Sequence, residues 1–219
     1  MIEIDGADEA MRNMIPPSQS YAKTLVFTGQ EAIYQDGEKP GGDVEIKHEE
    51  NGADMQIVIK RPLNTLYTDM ASNVTLNARE FFGREFLITG APKDYAWKLT
   101  GEQKKIGEYS CFKALLQDTS QQVAAWFTPQ IPLGIGPAGW GRLPGMILEV
   151  DIDNGQRTIV ATSVQLGAVA EGEIVKPTKG RAVTQAEFDA IEAAKLKEMG
   201  EVHGGNGRGV RMIIREERN

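Results

Sequence analysis

The stretch at 123–153, VAAWFTPQIPLGIGPAGWGRLPGMILEVDID, decides how the rest of the chain is read. It holds two of the three tryptophans and four of the ten prolines, so it is built for shape rather than for chemistry. Proline removes ladder donors, and the middle of the stretch is therefore not a central strand. It reads as an ordered loop that crosses the fold between two strands and enters the second, GMILEVDID, near Gly145. Pro129, Pro132, Pro137 and Pro144 fix φ and reduce the entropy lost when such a loop orders. Gly134, Gly136, Gly139, Gly141 and Gly145 permit close approach and positive φ, and Trp126 and Trp140 supply apolar area to pin the path.

Outward from this stretch the chain reads as short strands with the spacing of antiparallel sheet. Candidate strands cover 24–34, 43–50, 54–61, 65–71, 73–80, 84–90, 95–101, 109–118 and 121–129. The strands at 145–153 and 157–166 form a hairpin joined by Asn154 and Gly155, which suit positive φ. The charged run 101–109, GEQKKIGEY, reads as a solvated turn between strands. One segment follows a helical period. Thr184 with Glu187 three residues on is a capping box, Phe188 and Ile191 share a face, and Gly200 offers a stop. A weaker helix candidate at 7–14 ends at Pro16 and Pro17. A glycine-rich loop at 201–209 precedes a last strand at 210–216.

No linker or internal repeat interrupts this pattern, so residues 1–219 are expected to form a single domain. The predicted fold is mainly β (α+β). It is a curved antiparallel sheet or open half-barrel with one C-terminal helix at about 184–199 and a short N-terminal helix.

Composition narrows the partners. Acidic residues outnumber basic ones 31 to 24 and the basic residues are scattered, which argues against a nucleic-acid partner. No apolar run approaches the roughly 18 residues that a transmembrane helix needs. The N-terminus is acidic and lacks the basic start and apolar centre of an export signal. A single cysteine, Cys111, excludes an intrachain disulfide and a cysteine-rich zinc site.

The remaining motifs yield little chemistry. His48 and His203 lie far apart in sequence, so a metal site or a base for Cys111 would need chance tertiary assembly. DIDNG at 151–155 fails as a calcium loop, because Gly155 stands where a side-chain oxygen ligand is needed and Thr162 where an acidic residue is. GIGPAGWGR at 134–142 fails as a phosphate cradle, because a strand follows it rather than a helix. Trp97, Tyr109, Trp126, Phe127 and Trp140 either line an apolar cavity or form plain core. No catalytic set, metal or cofactor is indicated. An enzyme would have to rest on Cys111 or on carboxylates such as Glu149 and Asp151.

Several long blocks in order carry a family resemblance. Trp97-Lys98 is followed by Lys105, Ile106, Gly107, Tyr109, Cys111, Lys113 and Ala114, then by Ala125 through Pro129, Ile131, Pro132, Gly136 and Pro137, and finally by RLPGMI at 142–147. The region 95–151 resembles the GLPGLI family of uncharacterised exported proteins from Gram-negative envelopes. Arg142 departs from the first glycine of the name motif and Met146 from its leucine. With a side chain at that position, Arg142 is expected in an ordinary right-handed or extended conformation. The resemblance implies a periplasmic or outer-envelope location and a signal peptide that this chain lacks. By analogy it also implies a sheet like that of the outer-membrane lipoprotein carriers.

Together these readings point to a non-enzymatic protein that binds a lipid-like or other apolar ligand, or a partner segment, in the concave face beside the helix. A structural component that pairs with another envelope protein through a strand edge is the alternative, and an enzyme of unknown type is a third. The candidate pocket or motif residues are Trp97, Tyr109, Cys111, Trp126, Phe127, Pro129, Pro132, Pro137, Trp140, Leu143, Pro144 and Gly145.

Overall fold

Two sheets divide most of the strands in the computed structural model, which describes residues 2–5, 20–37, 44–50, 53–59, 64–118, 121–202 and 211–214. The first strand, β1 (Ile2–Asp5), pairs antiparallel with the last, β15 (Arg211–Ile214). Next come β2 (Lys23–Phe27) and β3 (Glu31–Asp36), in place of the single strand expected over 24–34. The break is local: the Thr28 hydroxyl oxygen accepts the amides of Gln30 and Glu31 and turns the chain back on itself. A separate hairpin joins β4 (Val44–Glu50) to β5 (Ala53–Ile59).

The larger sheet has six strands in the order β14-β8-β7-β6-β3-β2, built from β6 (Asn64–Asp69), β7 (Val74–Phe81), β8 (Arg84–Gly90) and β14 (Arg181–Thr184) besides β2 and β3. All its pairings are antiparallel except β14 with β8, which is parallel. The second sheet has five strands in the order β13-β12-β11-β10-β9, namely β9 (Trp97–Ile106), β10 (Tyr109–Leu116), β11 (Val123–Thr128), β12 (Met146–Ile152) and β13 (Arg157–Val160). The expected turn at 101–109 is thus mostly strand, with the reversal confined to Gly107 and Glu108. Strand β13 stops at Val160, short of the expected 166, and an irregular connection runs from there to β14.

Helix α1 (Gln185–Val202) is the expected C-terminal helix. Its capping box is formed: the Thr184 amide donates to Glu187 Oε2 at 2.7 Å and the Glu187 amide donates to Thr184 Oγ1 at 3.3 Å. Gly200 does not stop it, because the backbone stays helical to Val202. The helix lays Phe188 on Phe81, Phe86, Ile88 and Val183 of the six-stranded sheet, with Phe188 ring centroids 5.6 and 5.3 Å from those of Phe81 and Phe86. The Arg79 guanidinium sits 5.2 Å over the Phe188 ring. The helix itself thus packs the part of that sheet formed by β7, β8 and β14.

The architecture is mainly β, mostly antiparallel, with one C-terminal helix and, among the described residues, no closed barrel. No helix among the described residues is long and apolar enough to cross a membrane. The helix expected at 7–14 and the glycine loop beyond Val202 lie outside the described residues.

Phe188 fixes α1 to the sheet, so Phe188→Ala should cost about 3–5 kcal/mol in urea unfolding. Leu196→Ala, on the exposed side of the same helix, should cost under about 0.5 kcal/mol. Equal losses at the two positions would contradict this packing.

Candidate binding surface

Alternation along β10 sends Phe112, Ala114 and Leu116 to one side of the five-stranded sheet, and Tyr109, Cys111 and Lys113 to the other. The crossing segment between β11 and β12 wraps the end of the sheet and packs on both sides. Ile131 and Ile135 join Cys111, Met146 and Leu148 on one face, together with Phe27 from the six-stranded sheet. Trp140 and Leu143 join Ala114, Ala125, Phe127, Ile147 and Val150 on the other. Each large side chain buried this way stabilises by roughly 1.5–3 kcal/mol.

Backbone bonds hold the segment in place. The Met146 amide donates to the Ile131 carbonyl, Ile147 to Ile135 and Arg142 to Gly134, all at 2.9 Å. Gly145 has φ +153, and a Cβ there would overlap the Thr128 carbonyl, so only glycine fits. Pro137 opens a single 3-10 turn over Pro137–Gly139. That turn meets the six-stranded sheet, where a Cβ on Gly139 would lie 3.0 Å from Leu66 Cδ2.

Arg142 corrects an expectation. Its φ is +68, the left-handed region that glycine enters freely and other residues enter at a cost. Its guanidinium holds the conformation from outside, with Nε 3.1 Å from Asp94 Oδ1 and Nη2 donating to Asn73 Oδ1 at 3.1 Å. The strand after it begins at Met146, beside the expected Gly145.

The tryptophans divide by role. Trp140 is 3% exposed and Trp97 half-buried, their rings are 6.1 Å apart, and Tyr95 stacks on both. Trp97 Nε1 donates to the Gly141 carbonyl at 2.8 Å, which ties β9 to the crossing segment. Burial pushes the Tyr95 hydroxyl up to about 12. This aromatic group is core rather than a cavity wall. Trp126 lies on the opposite face, half-buried, with Lys104 Nζ 4.3 Å and Lys113 Nζ 5.7 Å from its ring. Lys104 donates to Glu149 at 2.6 Å and Lys113 to both Glu102 oxygens at 3.0 and 3.1 Å. Reading 101–109 as a turn conceals this network.

Cys111 is fully buried, and burial raises its thiol while the Ile106 backbone and Lys104 pull the other way. A buried, protonated thiol is a small hydrophobe and a poor nucleophile. The side chains of His48 and His203 lie outside the described residues. Among the described residues no three His, Cys, Asp or Glu side chains gather as a metal site. Glu149 is held by Lys104, and Asp151 Oδ1 accepts the Gly155 amide at 2.6 Å in the expected Asn154-Gly155 turn.

Among the described residues, one concave feature is an apolar depression of about 300 Å³ lined by Leu99, Gly101, Phe112, Lys113, Phe127, Pro129 and Pro144. A β-bulge opens it. The register slips between Phe112 and Ala114, so that Thr100, Gly101 and Glu102 of β9 stand against Lys113, with Gly101 at φ +81. The slip leaves Leu99 57% exposed beside the half-buried Phe112 ring, whose centroid lies 6.1 Å from that of the buried Phe127. Of the candidate residues, Phe127, Pro129 and Pro144 line this depression. Pro132 is exposed, Pro137 and Leu143 are buried in the crossing segment, and Tyr109 edges the opposite cluster. Leu99, Gly101 and Phe112 are not among the candidates read from sequence, although a glycine inside a strand pattern is a bulge signal.

The family described as N-glycanase peptide, N-terminal domain matches residues 57–201, about two thirds of the sequence. The chain belongs to this family. The match takes in the crossing segment, the bulge and most of α1. It differs from the family that the sequence blocks resemble. A solved structure of PNGF-II in space group P21 aligns with a TM-score of 0.48 at 16% identity, over 78% of this chain and 32% of that one. A second, in space group C2, aligns with a TM-score of 0.48 at 17% identity over the same shares. The chain spans about a third of the length of those structures. Comparison with curated proteins gives no match.

For this N-glycanase peptide N-terminal domain, Arg142 offers a direct check of the segment's geometry. Arg142→Gly relieves the left-handed strain while removing an exposed ion pair, and should stay within about 0.5 kcal/mol of the parent or exceed it. Arg142→Val, with a branched Cβ at φ +68, should lose about 2 kcal/mol. Chemical denaturation of the two variants measures the difference, and a Val variant as stable as the Gly variant would refute the strained geometry.

Proposed function

We propose that the chain is a non-enzymatic interaction domain of the bacterial envelope, which seats an apolar segment of a partner in the depression beside β9. The carrying observation is the bulge-opened site itself: Leu99 is largely exposed next to the Phe112 and Phe127 rings, on a scaffold fixed by the crossing segment. The depression is open and shallow, which favours one or two apolar side chains of a protein segment over an enclosed lipid chain. A non-enzymatic role is supported by the state of the three groups singled out for chemistry, a buried thiol and carboxylates already held by Lys104 and the Gly155 amide.

The family's description supports the choice of partner: for an N-terminal domain named for N-glycanase, the partner proposed is an N-glycanase catalytic domain, in the same polypeptide or as a separate chain. The envelope location rests on the resemblance to GLPGLI proteins in the blocks 95–151. A strand-edge scaffold is the weaker reading, because the bulge and the lysines of β9 blunt the longest edge of the five-stranded sheet.

Titration with a purified N-glycanase catalytic domain, followed by amide chemical shifts, tests the reading. Shifts should cluster on Leu99, Gly101 and Phe112, and Leu99→Glu should weaken binding by at least tenfold with the fold intact. Leu166→Glu, a change at a more exposed leucine elsewhere, should bind like the parent. No binding, or equal loss in both variants, would overturn the proposal.

A further inference from the structure

Among the described residues, the side of the five-stranded sheet that carries Trp126 is covered only in part. Toward the crossing segment it is sealed by Ile131, Ile135 and Val164. Toward the other end, strand register lays out two lines of side chains. One runs Lys98, Leu115, Ala124, Asp151 and Thr158 across β9 to β13, and the next runs Lys113, Trp126, Glu149 and Val160 across β10 to β13. Leu115 is 39% and Val160 49% exposed, and Lys98 and Thr158 are exposed as well.

This patch has an apolar centre and charge ends of opposite sign. Lys104 is satisfied by Glu149 and Lys113 by Glu102, which leaves Lys98 at the β9 side and Asp151 at the β12 side as the outward charges of the first line. Asp151 keeps one oxygen on the Gly155 amide. At about 4.8 Å between strands, the two charges stand about 14 Å apart, symmetric about a line between β10 and β11.

We propose that this patch is the contact face of a two-fold dimer of the chain. A two-fold axis parallel to the strands between β10 and β11 places Lys98 of one copy over Asp151 of the other, and Leu115 over Ala124. The same rotation sets Lys113 over the Trp126 ring of the second copy. Opposite charges make the face complementary to itself, so the occupant is a second copy rather than a uniformly charged partner. Two lines of side chains bury less than the roughly 800 Å² per partner of a standard interface, so the dimer is weak and salt-sensitive. The surface lies on the sheet face opposite the Phe112 and Phe127 rings of the depression and shares only Lys113 with its lining, and the proposal does not depend on that site.

Sedimentation equilibrium of the full chain, from about 1 µM to 1 mM at low salt, tests it. The weight-average mass should rise toward twice that of the monomer, and Lys98→Glu or Asp151→Lys alone should each weaken the dimer by at least tenfold. Mixing the two single variants should restore association to within about threefold of the parent. In the mixed dimer the glutamate introduced in one copy faces the lysine introduced in the other, while the native Lys98 and Asp151 still meet at the second contact. Circular dichroism confirms that each variant is folded, and Leu115→Asp provides an independent disruption. A chain that stays monomeric throughout, a dimer indifferent to Lys98→Glu and Leu115→Asp, or a mixture that fails to recover would each overturn the proposal.

Discussion

The approach of Gly145 to the carbonyl of Thr128 closes the crossing segment on itself, and the rest of the structure depends on that closure. With β11 and β12 held together at their ends, the amides of Met146 and Ile147 return to Ile131 and Ile135. The segment can then present Ile131 to one face of the sheet and Trp140 to the other. Most buried backbone polar groups must find partners, and here a proline-rich path finds them inside its own loop rather than in a ladder. The same segment touches the six-stranded sheet through Gly139 and Leu66, so one loop links the two sheets.

How much of this is legible in the sequence depends on whether the signal is local. The capping box of α1, the Asn154-Gly155 turn and the crossing segment rest on short-range chemistry, and each is found where the residues place it. The turn at 28–30 escapes notice although Gly29 stands in it, because the apolar-polar alternation on either side reads as one continuous strand. The Thr28 hydroxyl bonds that close the turn leave no pattern in the sequence. Arg142 misleads for the opposite reason. Its left-handed backbone is held by Asp94 and Asn73, 48 and 69 positions away in sequence, and no local rule reports such partners. The depression is half legible: Phe127, Pro129 and Pro144 stand out, while Leu99 and Phe112 join them only through a register slip.

The tryptophans illustrate how function narrows once packing is known. Trp97 and Trp140 carry structure, since their ring cluster and the Gly141 bond fasten β9 to the crossing segment. Trp126 is capped by two lysines whose charges are met by glutamates, so it too is a satisfied group. The depression beside β9 is modest and apolar, on a scaffold tied by the crossing segment. That is the form expected of a domain whose task is to hold another protein, and membership in the N-glycanase peptide N-terminal domain family gives the proposal its direction.

Hydrogen exchange of the crossing-segment amides measures the central claim most directly, because the account makes this loop as stable as the strands it joins. The amides of Arg142, Met146 and Ile147 should exchange as slowly as those of Ala125 and Val150 in the flanking strands. Exchange at the rate of an exposed loop, with the strands still protected, would contradict a fold organised by this segment.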